Sequence, residues 1–167
     1  MLSSDEAVHR IYDDSTVREA VRERFGEGAL DATGRVDRVA LSKLAFGQPG
    51  GVAFLESLIH PRVGAVREAW TAEQRRLVPP PPLLVCEVPL LFEAGLQDTF
   101  DAVLVVSASA EVRRARVEAR GQDFFARSAR QIDEHEKIRR ADRYLVNDGS
   151  AADLEEWVAK RFAEYTS

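Results

Sequence analysis

The stretch "LLVCEVPLLFEAG", Leu83 to Gly95, sets a carboxylate, Glu87, near the end of an apolar run that halts at Pro89. The run is short and apolar at nearly every position, the pattern of a parallel strand covered on both faces rather than of a strand with one wet face. A second run of the same kind, "AVLVVSAS" (102–109), follows, and a weaker one, "RYLVND" (143–148), comes later. The segments around them have helical spacing. Val112, Ala115 and Ala119 share one side of 110–120, Ile132, Ile138 and Ala141 punctuate a charged segment, and Leu154, Trp157, Val158, Phe162 and Tyr165 mark the last helix. Strand alternating with helix predicts an α/β fold with a parallel sheet, its core strands within 83–109 and 143–148.

The first half reads differently. Residues 5–76 are helical in period almost throughout, with Val17, Ala20, Val21 and Phe25, then Val39, Leu41 and Leu44, then Val52, Leu55, Leu58, Ile59, Val63 and Val66. "FGEGALDATGR" (25–35) and "FGQPGG" (46–51) are turn-rich breaks, and His60-Pro61 predicts a kink or break in the third helix. Pro79 to Pro82 form a stiff connector into the strand at 83–88. Three strands and a fragment at Met1–Ser4 are few for a parallel sheet, so either the sheet is small or part of it is absent.

With 167 residues and 45% apolar content, the chain suits one domain with a substantial core. A net charge of −5 provides no general basic field for nucleic acid or a membrane surface. Only three of the 23 basic residues are lysines, Lys43, Lys137 and Lys160; this arginine bias fits both a GC-rich genome and a need for forked phosphate donors. Cys86 stands alone, which excludes an internal disulfide and suits an inert thiol in a reducing compartment. With neither an apolar span of about 20 residues nor a signal-peptide pattern, a cytoplasmic protein is expected.

Ligands of open α/β sheets gather at the carboxyl ends of the strands, here Cys86-Glu87, Ser107 to Ser109 and Asn147-Asp148-Gly149. Glu87 could hold a metal-bound water or act as a base; it could equally cap a helix or pair with an arginine. Arg113, Arg116 and Arg120 recur at i, i+3 and i+7 on one helical face, followed by Arg127 and Arg130. Such a row suits a polyphosphate, and it also suits a solvated face paired with Glu111 and Glu118. Asp5 could cap the helix after it, as could Ser3 or Ser4. His9 and His60 lack a third ligand at metal spacing.

Taken together, the segments resemble the dephospho-coenzyme A kinases, P-loop kinases related in fold to the nucleoside monophosphate kinases. "SSDEAVH" (3–9) is similar to the family's Asp-Ala-Asp segment, with Asp5 on its second aspartate and Ser3 in place of its first. "GRVDRVALSKLAF" (34–46) places Arg38, Leu41 and Phe46, and "LIHPRV" (58–63) carries its His-Pro element. The most specific match is Pro89-Leu90-Leu91-Phe92-Glu93. "RQIDEHEKIRRADRYLVNDG" (130–149) follows the family spacing at Gln131, Glu136-Lys137, Ala141-Asp142 and Asn147-Asp148-Gly149.

The resemblance implies a single kinase-like domain with a helical acceptor-binding block (10–76) and a lid (113–140). It also implies transfer of the ATP γ-phosphoryl group to the ribose 3′-hydroxyl of dephospho-coenzyme A, with Mg2+. In that scheme Asp5 is the base and Glu87 lies in the cleft. Arg38, His60, Pro61, Pro89, Leu90 and Leu91 receive the acceptor. Arg116, Arg120 and Arg127 close over phosphates, and Asn147 with Gly149 borders the adenine. Neither nucleic acid nor membrane is an expected partner. Another small-molecule P-loop kinase, or a non-catalytic nucleotide- or coenzyme A-binding relative, is the alternative.

Two departures stand out. "GQDFFA" (121–126) makes the spacing from Arg120 to Arg127 short, which weakens the match at Arg127. No G-x-x-x-x-G-K-[ST] segment occurs, and its amides, lysine and hydroxyl are what cradle phosphates and magnesium. The expectation is therefore an N-terminally truncated member with impaired turnover, Met1 being an internal or miscalled start. A gap should then lie in the sheet between 83–88 and 102–107, at a cost of about 1–3 kcal/mol per unsatisfied buried group.

Overall fold

A computed structural model describes residues 1–121 and 131–167. It divides into two compact units, Met1–Val88 and Pro89–Ser167.

The first unit is a helical block on a minimal sheet. β1 (Leu2–Ser3) leads into α1 (Ser4–Tyr12), α2 (Ser15–Phe25), α3 (Arg38–Gly47) and α4 (Gly51–Arg75), and the chain returns as β2 (Cys86–Glu87). β1 and β2 pair in parallel, Leu2 with Cys86 and Ser3 with Glu87. The helices start where carboxylates can take the free amides: Asp14 accepts from Thr16 and Val17, and Asp37 from Val39 and Ala40. Ile11, Val17, Val21, Phe25, Ala29, Leu41, Ala45 and Ile59 bury one continuous core among the four helices. Phe25 meets Phe54 edge-on, centroids 5.8 Å apart, and the Arg24 guanidinium lies over both rings. Gly51 sits so close to α3 that a Cβ would come within 2.5 Å of the Ala45 carbonyl oxygen, so only glycine lets α4 begin there.

Pro61 does not break α4, which runs for 25 residues through it. Proline deprives only the Ser57 carbonyl of its usual donor, and close by the Arg62 side chain donates to the Leu58 carbonyl at 2.7 Å. The strand expected over 83–88 shortens to Cys86–Glu87, and the fragment expected at Met1–Ser4 forms a strand only at Leu2–Ser3.

The second unit holds β3 (Leu104–Ser107), α5 (Ala110–Glu118), α6 (Glu134–Arg140), β4 (Arg143–Val146) and α7 (Ala151–Thr166). β3 and β4 pair in parallel over four residues, Leu104 with Arg143 through Ser107 with Val146. Asp142 sets that register from one end. Its carboxylate accepts the Val103 amide at 2.7 Å while its own amide donates to the Val103 carbonyl at 2.9 Å. Each unit thus keeps a two-stranded parallel sheet of its own. Leu104, Val106, Tyr144 and Val146 are exposed on the β3–β4 pair, so apolar burial is thin here and polar ties carry more of the unit.

The chief tie is Glu93, from the turns at 89–95. Lys137 reaches its carboxylate at 2.8 Å and the Ile132 amide donates to the same oxygen at 2.9 Å. Both side chains are about 85% buried, at 15% and 14% exposure, and Glu93 Oε2 is buried with no partner among the described residues. Burial works against ionising Glu93, but the bonds from Lys137 and from backbone amides outweigh it and hold its pKa below the ordinary 4.5. Among the described residues no helix is long and apolar enough to cross a membrane.

Two stability predictions follow from this packing. Leu41, 2% exposed at the centre of the first unit, is irreplaceable by a smaller side chain, so Leu41→Ala should cost about 2–4 kcal/mol in urea unfolding. Because the Glu93 pKa is depressed on folding, its contribution is complete above the unfolded value and is lost as pH falls through the folded one. Glu93→Gln should therefore lower stability by about 1–3 kcal/mol at pH 7, with the gap to the parent chain closing below about pH 4.5 in pH-resolved denaturation.

Candidate functional site

Two strand ends gather the polar residues, one in each unit. In the first, the pairing of Ser3 with Glu87 places both carboxyl ends together, so Glu87 and the first turn of α1 share one end of the sheet. Asp5 occupies that first turn, and a carboxylate there interacts favourably with the helix N-terminus. Ser3 stands at the capping position without a side-chain cap bond, so the capping role expected of Ser3 or Asp5 does not arise in that form.

Asp5, His9 and Tyr12 recur at i, i+4 and i+7 on α1. The His9 ring nitrogen Nδ1 lies 2.9 Å from the Asp5 carbonyl oxygen, and the Arg38 guanidinium, from the first turn of α3, contacts the same ring. Burial pushes the Tyr12 hydroxyl above its ordinary pKa, and the nearby charge of Arg38 partly opposes that rise. Arg38 is thereby drawn to the face that carries Asp5. His9 was visible in the sequence only as a poor metal ligand; its spacing from Asp5 on one helix was the signal for this contact. His60 and Pro61 are exposed on α4. Cys86, beside Glu87, is partly buried, and burial raises its thiol pKa, keeping it protonated and unreactive.

In the second unit, the carboxyl ends of β3 and β4 run into Ser107-Ala108-Ser109 and Asn147-Asp148-Gly149. The Asn147 amide continues the ladder to the Ser107 carbonyl at 2.8 Å, and the Ser109 amide donates to Asp148 Oδ1 at 2.6 Å. Asn147 is the one buried polar residue among the described ones, at 8% exposure. Ser150 and Asp153 then cap α7 reciprocally.

The arginine row on α5 divides in use. Arg113 pairs with Glu134, which also accepts the Ser107 hydroxyl at 2.7 Å. Arg116 donates to the carbonyls of Asn147 at 3.2 Å and Gly149 at 3.4 Å. Glu118 is taken by Arg114. Arg120 is exposed just beyond the helix, and Arg127 and Arg130 lie outside the described residues. Glu134 escaped the sequence reading, although Asp133 capping the helix and acidic residues in its first turn signal a start there. Pro89 and Leu90 are exposed and Leu91 partly so, in turns closed by Ala94 N–H to the Leu90 carbonyl and by Leu96 N–H to the Leu91 carbonyl.

Among the described residues no three His, Cys, Asp or Glu side chains converge as a metal cage. Glu87 offers a single exposed carboxylate, a donor suited to holding one water of a magnesium shell rather than to gripping the ion directly.

The dephospho-CoA kinase family model matches residues 2–153. A dephospho-CoA kinase of Symbiobacterium thermophilum is 37% identical over 155 residues, covering 90% of this chain and 64% of that protein. One from Deinococcus radiodurans is 43% identical over 130 residues, covering 73% of this chain and 60% of that protein. The chain thus spans somewhat under two thirds of the length of these relatives. The crystal structure of TT1252 from Thermus thermophilus superposes with a TM-score of 0.81 at 36% identity, over 99% of this chain and 84% of that one. A dephospho-CoA kinase from Campylobacter jejuni, at 24% identity and a TM-score of 0.68 with the same coverage, shares the fold. With that family model matched over residues 2–153 and relatives at 37% and 43% identity, this chain belongs to the dephospho-CoA kinase family.

Proposed function

We propose that this chain serves ATP-dependent phosphorylation of the 3′-hydroxyl of dephospho-coenzyme A, yielding coenzyme A and ADP. The observation that carries the reading is the parallel pairing of β1 with β2, which brings Asp5 and Glu87 to the same carboxyl end of one sheet. Asp5 takes the proton of the 3′-hydroxyl as that oxygen bonds to the γ-phosphorus and the bond to the β,γ-bridging oxygen breaks, the electron pair leaving with ADP. Arg38, held toward α1 by His9, supplies positive charge beside the acceptor, and His60 and Pro61, exposed on α4, offer it surface. Asn147 and Gly149 border the adenine, and Arg120 meets the phosphates; Arg127 lies outside the described residues. If magnesium is bound it would supply charge neutralisation to the transferred phosphoryl group, and Glu87 would hold a water of its shell. A cytoplasmic setting without nucleic acid or membrane partners fits the net charge of −5 and the single, unpaired cysteine.

These 167 residues contain no G-x-x-x-x-G-K-[ST] loop, so on their own they should bind the acceptor and transfer phosphate feebly. The same feature favours a second reading, a non-catalytic nucleotide- or coenzyme A-binding relative. The two separate in one experiment: assay ATP-dependent phosphorylation of dephospho-coenzyme A by the chain as it stands and with a strand, glycine-rich loop and helix fused ahead of residue 1. The kinase reading expects turnover only in the fusion; micromolar acceptor binding without turnover in either supports the binding module. In an active fusion, Asp5→Asn should lower kcat about 10²- to 10⁴-fold with little change in the acceptor KM. An unchanged kcat would remove Asp5 from the role of base.

A further inference from the structure

The loop Asn147-Asp148-Gly149 is tied down on nearly every side by its own neighbours. The Asn147 amide bonds to Ser107, Asp148 takes the Ser109 amide, and the Ser150–Asp153 cap closes the loop where α7 begins. The carbonyls of Asn147 and Gly149 are among the groups these ties leave open, and the Arg116 guanidinium reaches both, at 3.2 and 3.4 Å. Two carbonyls two positions apart in a turn match the fork of a guanidinium, whose donors diverge at a fixed angle. Asn147 itself is 92% buried and its Oδ1 has no partner, so the loop cannot be re-formed around that side chain if the outer clamp is released. Arg113, one turn earlier on α5, acts in the same manner by pairing with the carboxylate that accepts the Ser107 hydroxyl.

We propose that Arg116 is a positioning residue for the base-binding side of the donor nucleotide site: by clamping the Asn147 and Gly149 carbonyls it holds the shape of the loop that meets the purine, and it does not grip phosphate. The proposal rests on the reading of that loop as the adenine border. A phosphate drawing Arg116 away would strip two turn carbonyls of their donors at once, an exchange that wins nothing when another arginine of the row, Arg120, is exposed past the helix end. The row on α5 therefore divides by function. Arg113 and Arg116 brace strand ends, and Arg120 remains for the phosphates.

Adenosine and ATP tell a base-side clamp from a phosphate ligand, because only ATP carries phosphate. The test measures binding of each to the chain and to Arg116→Met and Arg116→Lys, alongside amide hydrogen exchange at residues 147–150 and urea unfolding. For Arg116→Met the expected result is a loss of affinity of about 5- to 10-fold that is equal for adenosine and ATP. Exchange should be faster at 148–150 with the unfolding midpoint unmoved, and Arg116→Lys should recover part of both effects. A loss confined to ATP would make Arg116 a phosphate ligand and overturn the proposal. Unchanged exchange at 147–150 would overturn the clamp whatever binds. If the parent chain binds neither adenosine nor ATP while exchange still quickens in Arg116→Met, the clamp stands as structure, and the reading of the loop as the adenine border is what falls.

Discussion

The alignment of β3 with β4 is the constraint on which the second unit depends. A parallel pair of only four residues per strand has little ladder to hold its register, and a slip of one residue would turn every side chain to the opposite face. Asp142 pins one end through two bonds to Val103, and Asn147 pins the other through Ser107. With both ends fixed, Ser107 to Ser109 and Asn147 to Gly149 emerge side by side, and the bonds from Ser109 to Asp148 and from Arg116 to the loop become geometrically available. The Ala141-Asp142 element, which looks in the sequence like one more motif of a catalytic family, works here as a register lock. Its effect on a site is real but indirect, because it decides where the next five residues stand.

Arginine tells a similar story. A chain of 23 basic and 28 acidic residues has no excess of positive charge to attract polyphosphate from a distance. Many of the guanidiniums are engaged within the protein: Arg22 with Glu19, Arg35 with Asp13, Arg114 with Glu118, Arg139 and Arg140 with Glu136, Arg143 with Glu164. At the surface such pairs contribute little stability each. Their value lies in geometry, since a planar fork fixes an angle as well as a distance. That is why a row of arginines at helical spacing does not by itself announce a phosphate site.

The parts of the fold that depend on local periodicity were legible in the sequence. The helical block emerges as α1 to α4 because the apolar residues that share a face, such as Val17, Val21 and Phe25, are the ones that bury the core. The parallel sense of the strands followed from apolar runs alternating with helices. What the sequence hid was length and partnership. Leu83, Leu84 and Val85 read as strand, yet only Cys86–Glu87 pairs, because a ladder needs a partner and β1 offers two residues. Pro61 reads as a break, yet α4 continues, because a single missing donor in a helix anchored at Ile59 is outweighed by the packing around it. The pairs His9–Arg38, Glu93–Lys137 and Arg116–Asn147 join residues 29 to 44 positions apart in sequence, and no local pattern encodes them.

Those distant pairs also account for the different character of the two strand-end sites. In the first unit the site rests on a buried apolar core, so the Asp5 face of α1 is placed by packing, and polar contacts such as Arg38 with His9 only refine it. In the second unit the sheet is sparsely covered, and placement falls to charges and amides: Glu93 with Lys137 and Ile132, Asp142 with Val103, Glu134 with Ser107 and Arg113. Polar placement is directional and strict while its partners remain, and it fails abruptly when one is removed, because the partner left behind is buried and unpaired. A strand end set by packing tolerates small substitutions gradually. One set by hydrogen bonds does not, and in the second unit Glu93, Lys137, Asp142 and Asn147 are the residues that make those bonds.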